Sequence, residues 1–497
     1  MTTARTSLES HLEHATNRHN LWLTALAIFI IITHFQWWWH GSGDQMNYLS
    51  IARHFALGEI ARFDEPTLRY APGYALIIAP TFWVMDRPFL LINLIHTVFL
   101  LAMLRPMTRW FTQYAGRASV LLSTLVVVNL SLWFYTQRPL SEAVFVPWLI
   151  LTGLLLQKSA DAPRLSKALP WLIAAMLATI LLVMIRQLGV FVLSALSVVL
   201  LIRTLQGTLR WWDAALRLTF TALPACLSII ALSHFEQANT EASTDNEMSY
   251  VDHLLREDVS LLERLALCTH LRISEIGRMM MPGMRTSYAQ EGDWLDINML
   301  IYSALFLLLA WGWWRIIRRR TDVLMWFLPF YLGFLLFWPY EAATRYAIPL
   351  LPMLVLALWG AVEPLKNRRL TILAIAATLH LLVTLGYWGI ELTRMNTTAQ
   401  WASAQAVADQ TRDDPDSIVV RGVSTPWQYR LRFITNRNIA FARTDEQLKT
   451  SDARWIAVGD NKPTPPGWLE VSNIDNIRLY RRPDTKDPTL PSPHPVQ

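Results

Sequence analysis

The sequence predicts an all-α polytopic membrane protein with about eleven spanning helices and a small C-terminal extracytoplasmic α/β or α+β domain. Three observations carry that class. Only 16% of the 497 residues are charged and 53% are hydrophobic, whereas soluble chains are about 25% charged. The charges crowd into the first 20 residues, short connectors, one middle stretch and the region after 391. Basic residues also favour alternate connectors, as membrane orientation requires.

Apolar runs long enough to cross a hydrocarbon core of about 30 Å lie near 21–39, 88–105, 118–136, 141–157, 169–185, 188–202, 217–235, 297–314, 322–338, 346–362 and 370–390. The first ends in Trp37-Trp38-Trp39-His40 with no small-residue cleavage site, so it reads as an uncleaved span. Arg186-Gln187 divides the run 169–202 into two spans joined by a tight turn. Trp37, Trp38, Trp39, Trp211, Trp212, Trp313 and Trp314 fall at span ends, as an interfacial aromatic belt would.

One set of connectors carries three or more basic residues each: Arg105, Arg109 and Arg117; Lys158, Arg164 and Lys167; Arg203, Arg210 and Arg217. Arg315 with Arg318, Arg319 and Arg320, and Lys366 with Arg368 and Arg369, complete it. The opposite turns carry one arginine each, Arg138, Arg186 and Arg345. The asymmetry predicts a cytoplasmic N-terminus and, with an odd number of spans, an exported C-terminal domain. The low cysteine count leans the reading to a bacterial inner membrane; Cys226 and Cys268 allow at most one bridge. The net charge of +6 belongs to loop anchors facing membrane lipid headgroups, so a nucleic-acid partner is not expected.

The expected organisation is a transmembrane domain over 1–390 with outer loops at 40–87 and 236–295, a soluble domain over 391–482, and a disordered Pro-rich tail over 483–497. In the first loop, Tyr48, Ile51, Phe55 and Ile60 have the spacing of an amphipathic helix on the membrane surface. The following segment from Pro72 reads as a second interfacial helix. Short β-like runs at 418–420, 455–458 and 477–480 predict the sheet of the soluble domain.

Asp44 opens the first loop after the first span, where a carboxylate is either a general base or an N-cap. Arg138, Arg186 and Arg345 are the ionisable groups retained at outward span ends. Such groups are expensive near lipid and are therefore paired or functional. A guanidinium suits a lipid phosphate through bidentate charge-assisted bonds. The competing assignment for Arg138 is an (i, i+4) bridge to Glu142, which itself reads as structural or supporting. Tyr74 and Tyr346 are either packing residues or walls of a donor cleft, and His34 and His40 are assigned no role.

The ordered set of Asp44 with Tyr48 and Ala52, Arg69-Tyr70-Ala71-Pro72-Gly73-Tyr74, Leu140-Ser141-Glu142, Arg186 with Gly189, and Arg345-Tyr346 before Pro349 and Pro352 is distinctive. Over about residues 20–390 it resembles the GT-C superfamily of membrane glycosyltransferases. The nearest branch holds protein O-mannosyltransferases and the lipid A aminoarabinose transferase. The resemblance implies a hexosyl- or pentosyltransferase that takes a sugar from a polyprenyl-phosphate carrier. The acceptor would be a glycan, lipid or protein hydroxyl outside the cytoplasm, as in cell-envelope glycan assembly. It also implies that Asp44 is the base and that Arg69 meets the donor phosphate. Gln45 and Asn47 follow Asp44, so no DxD metal motif exists. Asp64-Glu65 lies in the same loop; no cofactor is expected, with a divalent metal left open. The relatives often have two prolines where this chain has Ala71-Pro72. Two alternatives remain: a non-catalytic lipid or polysaccharide transporter, disfavoured by the lack of an internal repeat, and a polymerase or ligase using a pyrophosphate-linked donor.

Overall fold

The structure, a computed structural model, describes residues 20–35, 43–58, 71–240, 260–282, 297–338, 344–366, 368–393, 398–412, 418–423, 425–435, 439–441, 453–459, 462–463, 465, 467–474 and 477–482. The chain divides into two compact units, one of Met1–Trp37 with Leu68–Ile390 and one of Trp38–Thr67 with Glu391–Gln497. Residues 43–58 therefore group with the C-terminal residues rather than with the bundle.

The first unit opens with α1 (Asn20–His34). Helix α2 (Gly43–Ala56) follows in the chain and belongs to the second unit. The chain re-enters the bundle at α3 (Pro72–Ile78), where Pro72 occupies a first-turn position that needs no N–H partner. Pro72, Gly73, Tyr74, Ala75 and Ile78 are all buried, so α3 packs within protein instead of lying along a lipid surface. Gly73 makes that docking possible: a methyl there would come within 2.6 Å of the Met184 carbonyl carbon.

Helices α4 (Phe89–Ala115) and α5 (Ser119–Val127) pack together across a turn at Gly116. The expected span 118–136 is then interrupted, because the Asn129 side chain accepts the Ser131 and Leu132 N–H groups and starts a new helix, α6 (Leu130–Thr136). Next come α7 (Glu142–Asp161) and α8 (Leu165–Ile185). Arg186 ends α8 in extended conformation (φ −158°, ψ 120°), which makes the sharp turn expected there. A 3-10 turn, Gln187–Val190, leads into α9 (Phe191–Leu205).

The unit continues with α10 (Trp211–Thr240), α11 (Leu261–Met280), α12 (Ile297–Arg319) and α13 (Val323–Leu335). A 3-10 segment, Arg345–Leu350, runs into α14 (Leu351–Val362), and α15 (Arg368–Thr393) closes the unit. Among the described residues, eight stretches are long and apolar enough to cross a membrane, and α1 and α13 are shorter apolar helices. Each of the eleven expected spans overlaps helix, but residues 36–39 of the first lie outside the described residues and 118–136 is two short helices joined at Asn129. Trp211, Trp212 and Trp314 are exposed, while Trp37–Trp39 and His40 lie outside the described residues. Both cysteines are free thiols.

Helices α7 and α14 form the interior of the bundle, with Phe145, Leu149, Leu156, Leu351 and Leu356 fully buried. α12 crosses α14 at Gly312 and Gly360, where an added methyl would strike the facing backbone. Small residues allow this close crossing, which replaces the hydrophobic drive that lipid does not supply. At the bundle end carrying Arg315–Arg320, Asp322 is buried but satisfied. It caps the Leu324 and Met325 N–H groups and accepts from Trp110 Nε1 at 3.1 Å and the Tyr114 hydroxyl at 2.9 Å. Arg217 donates to the Ser159 and Ala162 carbonyls at the end of α7, a charge-assisted C-cap.

In the second unit, α16 (Thr398–Gln410) precedes β1 (Ile418–Arg421), α17 (Thr425–Thr435), β2 (Ile439–Phe441), β3 (Trp455–Gly459), β4 (Leu469–Ile474) and β5 (Ile477–Arg481). The sheet order is β2-β1-β3-β5-β4. β1 pairs in parallel with β2 and β3, while β5 pairs antiparallel with β3 and β4. Ile418, Val420, Ala457 and Leu479 join Ala404, Val407, Trp427 and Leu431 of the helices in one core. Val419, Ile456, Val458 and Tyr480 cover the other face. Burial on α2 extends beyond the expected stripe: Met46, Leu49 and Ala52 are as buried as Tyr48 and Ile51. Ile60 lies outside the described residues.

Candidate functional site

The site forms where three chain breaks meet at one end of the bundle. Glu142 enters the first turn of α7 and is fully buried. Arg186 sits on the extended residue between α8 and the 3-10 turn, and Arg345 starts the 3-10 segment before α14. One carboxylate oxygen, Glu142 Oε1, accepts from Arg345 Nε at 2.5 Å and from Arg186 Nη1 at 2.8 Å. Glu142 Oε2 is buried with no hydrogen-bond partner among the described residues.

Aromatic rings frame this cluster. Arg186 lies over the Tyr346 ring, 4.8 Å from its centroid, and near Phe145. Tyr346 meets Trp338 edge-on at 5.9 Å. Tyr331 contributes a buried hydroxyl with no partner among the described residues, in the field of Arg186, Tyr346, Glu142 and Arg345. Arg186 engages Glu142 through Nη1 alone among the described residues, which leaves most of a planar, always-charged donor set for an anion.

The structure thus brings together four of the residues singled out in the sequence: Glu142, Arg186, Arg345 and Tyr346. Arg138 instead stacks on Phe134, 3.6 Å from the ring centroid, and the ion pairs of Glu142 go to Arg186 and Arg345. Tyr74 is buried, its hydroxyl 2.9 Å from His96 Nε2. Because His96 Nδ1 donates to the Thr136 carbonyl at 2.8 Å, Nε2 accepts from Tyr74. Asp44 belongs to the second unit, half-buried in the first turn of α2, where a carboxylate complements the helix dipole. Arg69 and Asp64-Glu65 lie outside the described residues.

No family model matches the chain, and no curated protein does. Solved structures do. ArnT from Cupriavidus metallidurans in the apo state superposes with a TM-score of 0.56 at 12% identity, covering 94% of this chain and 98% of that one. ArnT bound to undecaprenyl phosphate gives 0.56 at 11%, covering 92% and 97%. The chain has the GT-C fold. A third GT-C structure is similar, the Archaeoglobus fulgidus oligosaccharyltransferase tethered with an acceptor peptide containing the NVT sequon. Its TM-score is 0.50 at 13% identity, covering 85% of this chain and 63% of that one.

Within the GT-C bundle, three supporting groups went unrecognised in the sequence. Tyr331 hides in an uninterrupted apolar run, which gives no signal. Arg272 and Glu275 form a buried ion pair on α11 at 2.5 Å, and Arg272 Nη2 donates to the Trp338 carbonyl at 2.9 Å. Charges on the inner face of an amphipathic helix were the available signal there. Among the described residues, no three His, Cys, Asp or Glu side chains gather as a metal site.

Proposed function

We propose that the chain is a membrane glycosyltransferase that moves a sugar from a polyprenyl-phosphate carrier to an acceptor hydroxyl outside the cytoplasm. The observation that carries this reading is the convergence of two guanidiniums on one buried carboxylate oxygen. The likeness to ArnT, one structure of which holds undecaprenyl phosphate, supports it. Glu142 holds both arginines at a fixed angle, so the remaining donors of Arg186 meet a phosphate without reorganising. Arg69, Arg138, Tyr74 and Tyr346 complete the donor site in this reading.

The reaction is a single displacement. Asp44 takes the proton of the acceptor hydroxyl as its oxygen attacks the anomeric carbon. The bond from that carbon to the phosphate oxygen breaks, and polyprenyl phosphate leaves with the electron pair, stabilised by Arg186 and Arg345. Attack opposite the leaving group inverts the anomeric centre. The donor is a hexose or pentose carrier, and the setting is a bacterial inner membrane with the N-terminus inside.

Asp44→Asn tests the mechanism. Release of polyprenyl phosphate from short-chain polyprenyl-phosphate hexoses and pentoses should collapse by about 100-fold or more, while membrane insertion and undecaprenyl phosphate binding persist. Retained turnover would remove Asp44 from the chemistry. Labelling of the segment 38–67 from inside the cell would refute the topology.

A further inference from the structure

Arg53 stands in the last turn of α2, the helix that carries Asp44. Its Nη1 donates to the Phe433 carbonyl at 2.9 Å, and its guanidinium lies 5.6 Å from the centroid of the Phe433 ring. Phe433 belongs to the last turn of α17. Carbonyls there have no partner within their own helix and form the negative end of its dipole. Arg53 therefore caps α17 from outside while standing at the negative end of α2 as well. One cation serves two helix termini.

The receiving surface is densely packed. Trp401 of α16 meets Phe433 edge-on at 6.2 Å, and Arg430 lies over Trp401 at 5.6 Å. Trp427 Nε1 donates to Ser403 Oγ at 2.9 Å, tying α17 to α16. Phe433, Arg430 and Trp427 are each at most 2% exposed, and Trp427 is part of the core beneath the sheet. A side chain gripped here is held by the domain as a whole.

We propose that the C-terminal domain positions α2 and that Arg53 is the positioning residue, an inference that rests on Asp44 as the base. Asp44 and Arg53 are nine positions apart on the helix, about 13 Å along the axis. A tilt of about 5° at Arg53 displaces Asp44 by about 1 Å, and a misplacement of that size costs up to about 100-fold in rate. Loss of the clamp should thus lower turnover without removing any group that reacts.

The test uses the full-length protein in nanodiscs, with Arg53→Ala, Arg53→Gln and Arg53→Lys. Hydrogen exchange over 43–56 should rise in Arg53→Ala and Arg53→Gln, while exchange in the five-stranded sheet stays as in the parent. Turnover of short-chain polyprenyl-phosphate hexoses and pentoses should fall about tenfold or more, with half-saturation within about twofold. Arg53→Lys, which keeps a cationic donor, should restore most of both. Unchanged exchange in Arg53→Ala overturns the clamp. Raised exchange with unchanged turnover overturns the positioning role. An active Asp44→Asn enzyme would remove the base assignment, and the exchange result would still decide the clamp.

Discussion

Replacing Glu142 with Gln separates a phosphate site from a structural ion pair. Glu142 is 0% exposed and Arg186 is 8% exposed, so the amide leaves Arg186 without its carboxylate in a nearly dry site. Removing one partner of a buried pair costs about 3–5 kcal/mol, and the 2.5 Å and 2.8 Å contacts put this one at the well-formed end of that range. Purified Glu142→Gln protein should therefore melt measurably lower. Undecaprenyl phosphate should then recover part of the loss, because its phosphate supplies the missing negative charge. Charge-assisted hydrogen bonds are worth about 1.5–3 kcal/mol, so the variant should bind this lipid about tenfold tighter or better than the parent. The assay is a melting curve with and without undecaprenyl phosphate, with undecaprenol as the phosphate-free control. Equal stabilisation of parent and variant would refute the phosphate assignment. An unchanged melting point would refute the energetic argument.

Two further outcomes follow from the same geometry. Gly312→Leu should prevent accumulation of folded protein or lower its melting point sharply, since even a methyl at Gly312 would collide with the Ala357 carbonyl. Overpacking costs typically about 1–3 kcal/mol, and detergent-extracted yield with size-exclusion profile checks it. On α11, the Ser260 side chain and backbone N–H hold the Glu263 carboxyl below its ordinary value of 4.5. A depressed folded value means stabilisation present above 4.5 and lost as the pH falls through the lower folded value. Amide protection in the first turn of α11, measured from about pH 6 down to about pH 3, should drop in that window, and Glu263→Gln should abolish the step.

The bundle was largely legible because the hydrocarbon imposes the length and apolarity of every span. Its exceptions are local. Asn129 breaks an apolar run through two backbone hydrogen bonds that composition does not reveal. In the C-terminal domain, β1, β3 and β5 were legible as buried runs, whereas β4 is mostly exposed and β2 has three residues. The site was legible as parts. Arg186, Arg345, Glu142 and Tyr346 each stood out as polar groups at span ends, but their convergence joins residues 44 and 203 positions apart. The local rule misdirected: an (i, i+4) bridge from Arg138 needs both residues on one helix, and α7 starts only at Glu142. The allegiance of α2 to the C-terminal domain was likewise hidden, because its contacts with α17 join residues 380 positions apart.

A buried ion pair is weak evidence for stability, since each ion costs several kcal/mol to desolvate. Among the described residues this bundle nevertheless carries two, Glu142 with its arginines and Arg272 with Glu275. Their placement suggests a geometric reason. Arg272 fixes the Trp338 carbonyl, the Trp338 ring meets Tyr346, and the Tyr346 ring lies under Arg186. Cys268 adds a weaker contact to the same carbonyl. Leucines in place of Arg272 and Glu275 would pack as well and desolvate at less cost, but would take the guanidinium donor from the Trp338 carbonyl. The aromatic bridge beneath Arg186 would then lose its charge-assisted anchor. The desolvation cost on α11 thus supports the ring beneath Arg186, a guanidinium that Glu142 orients directly.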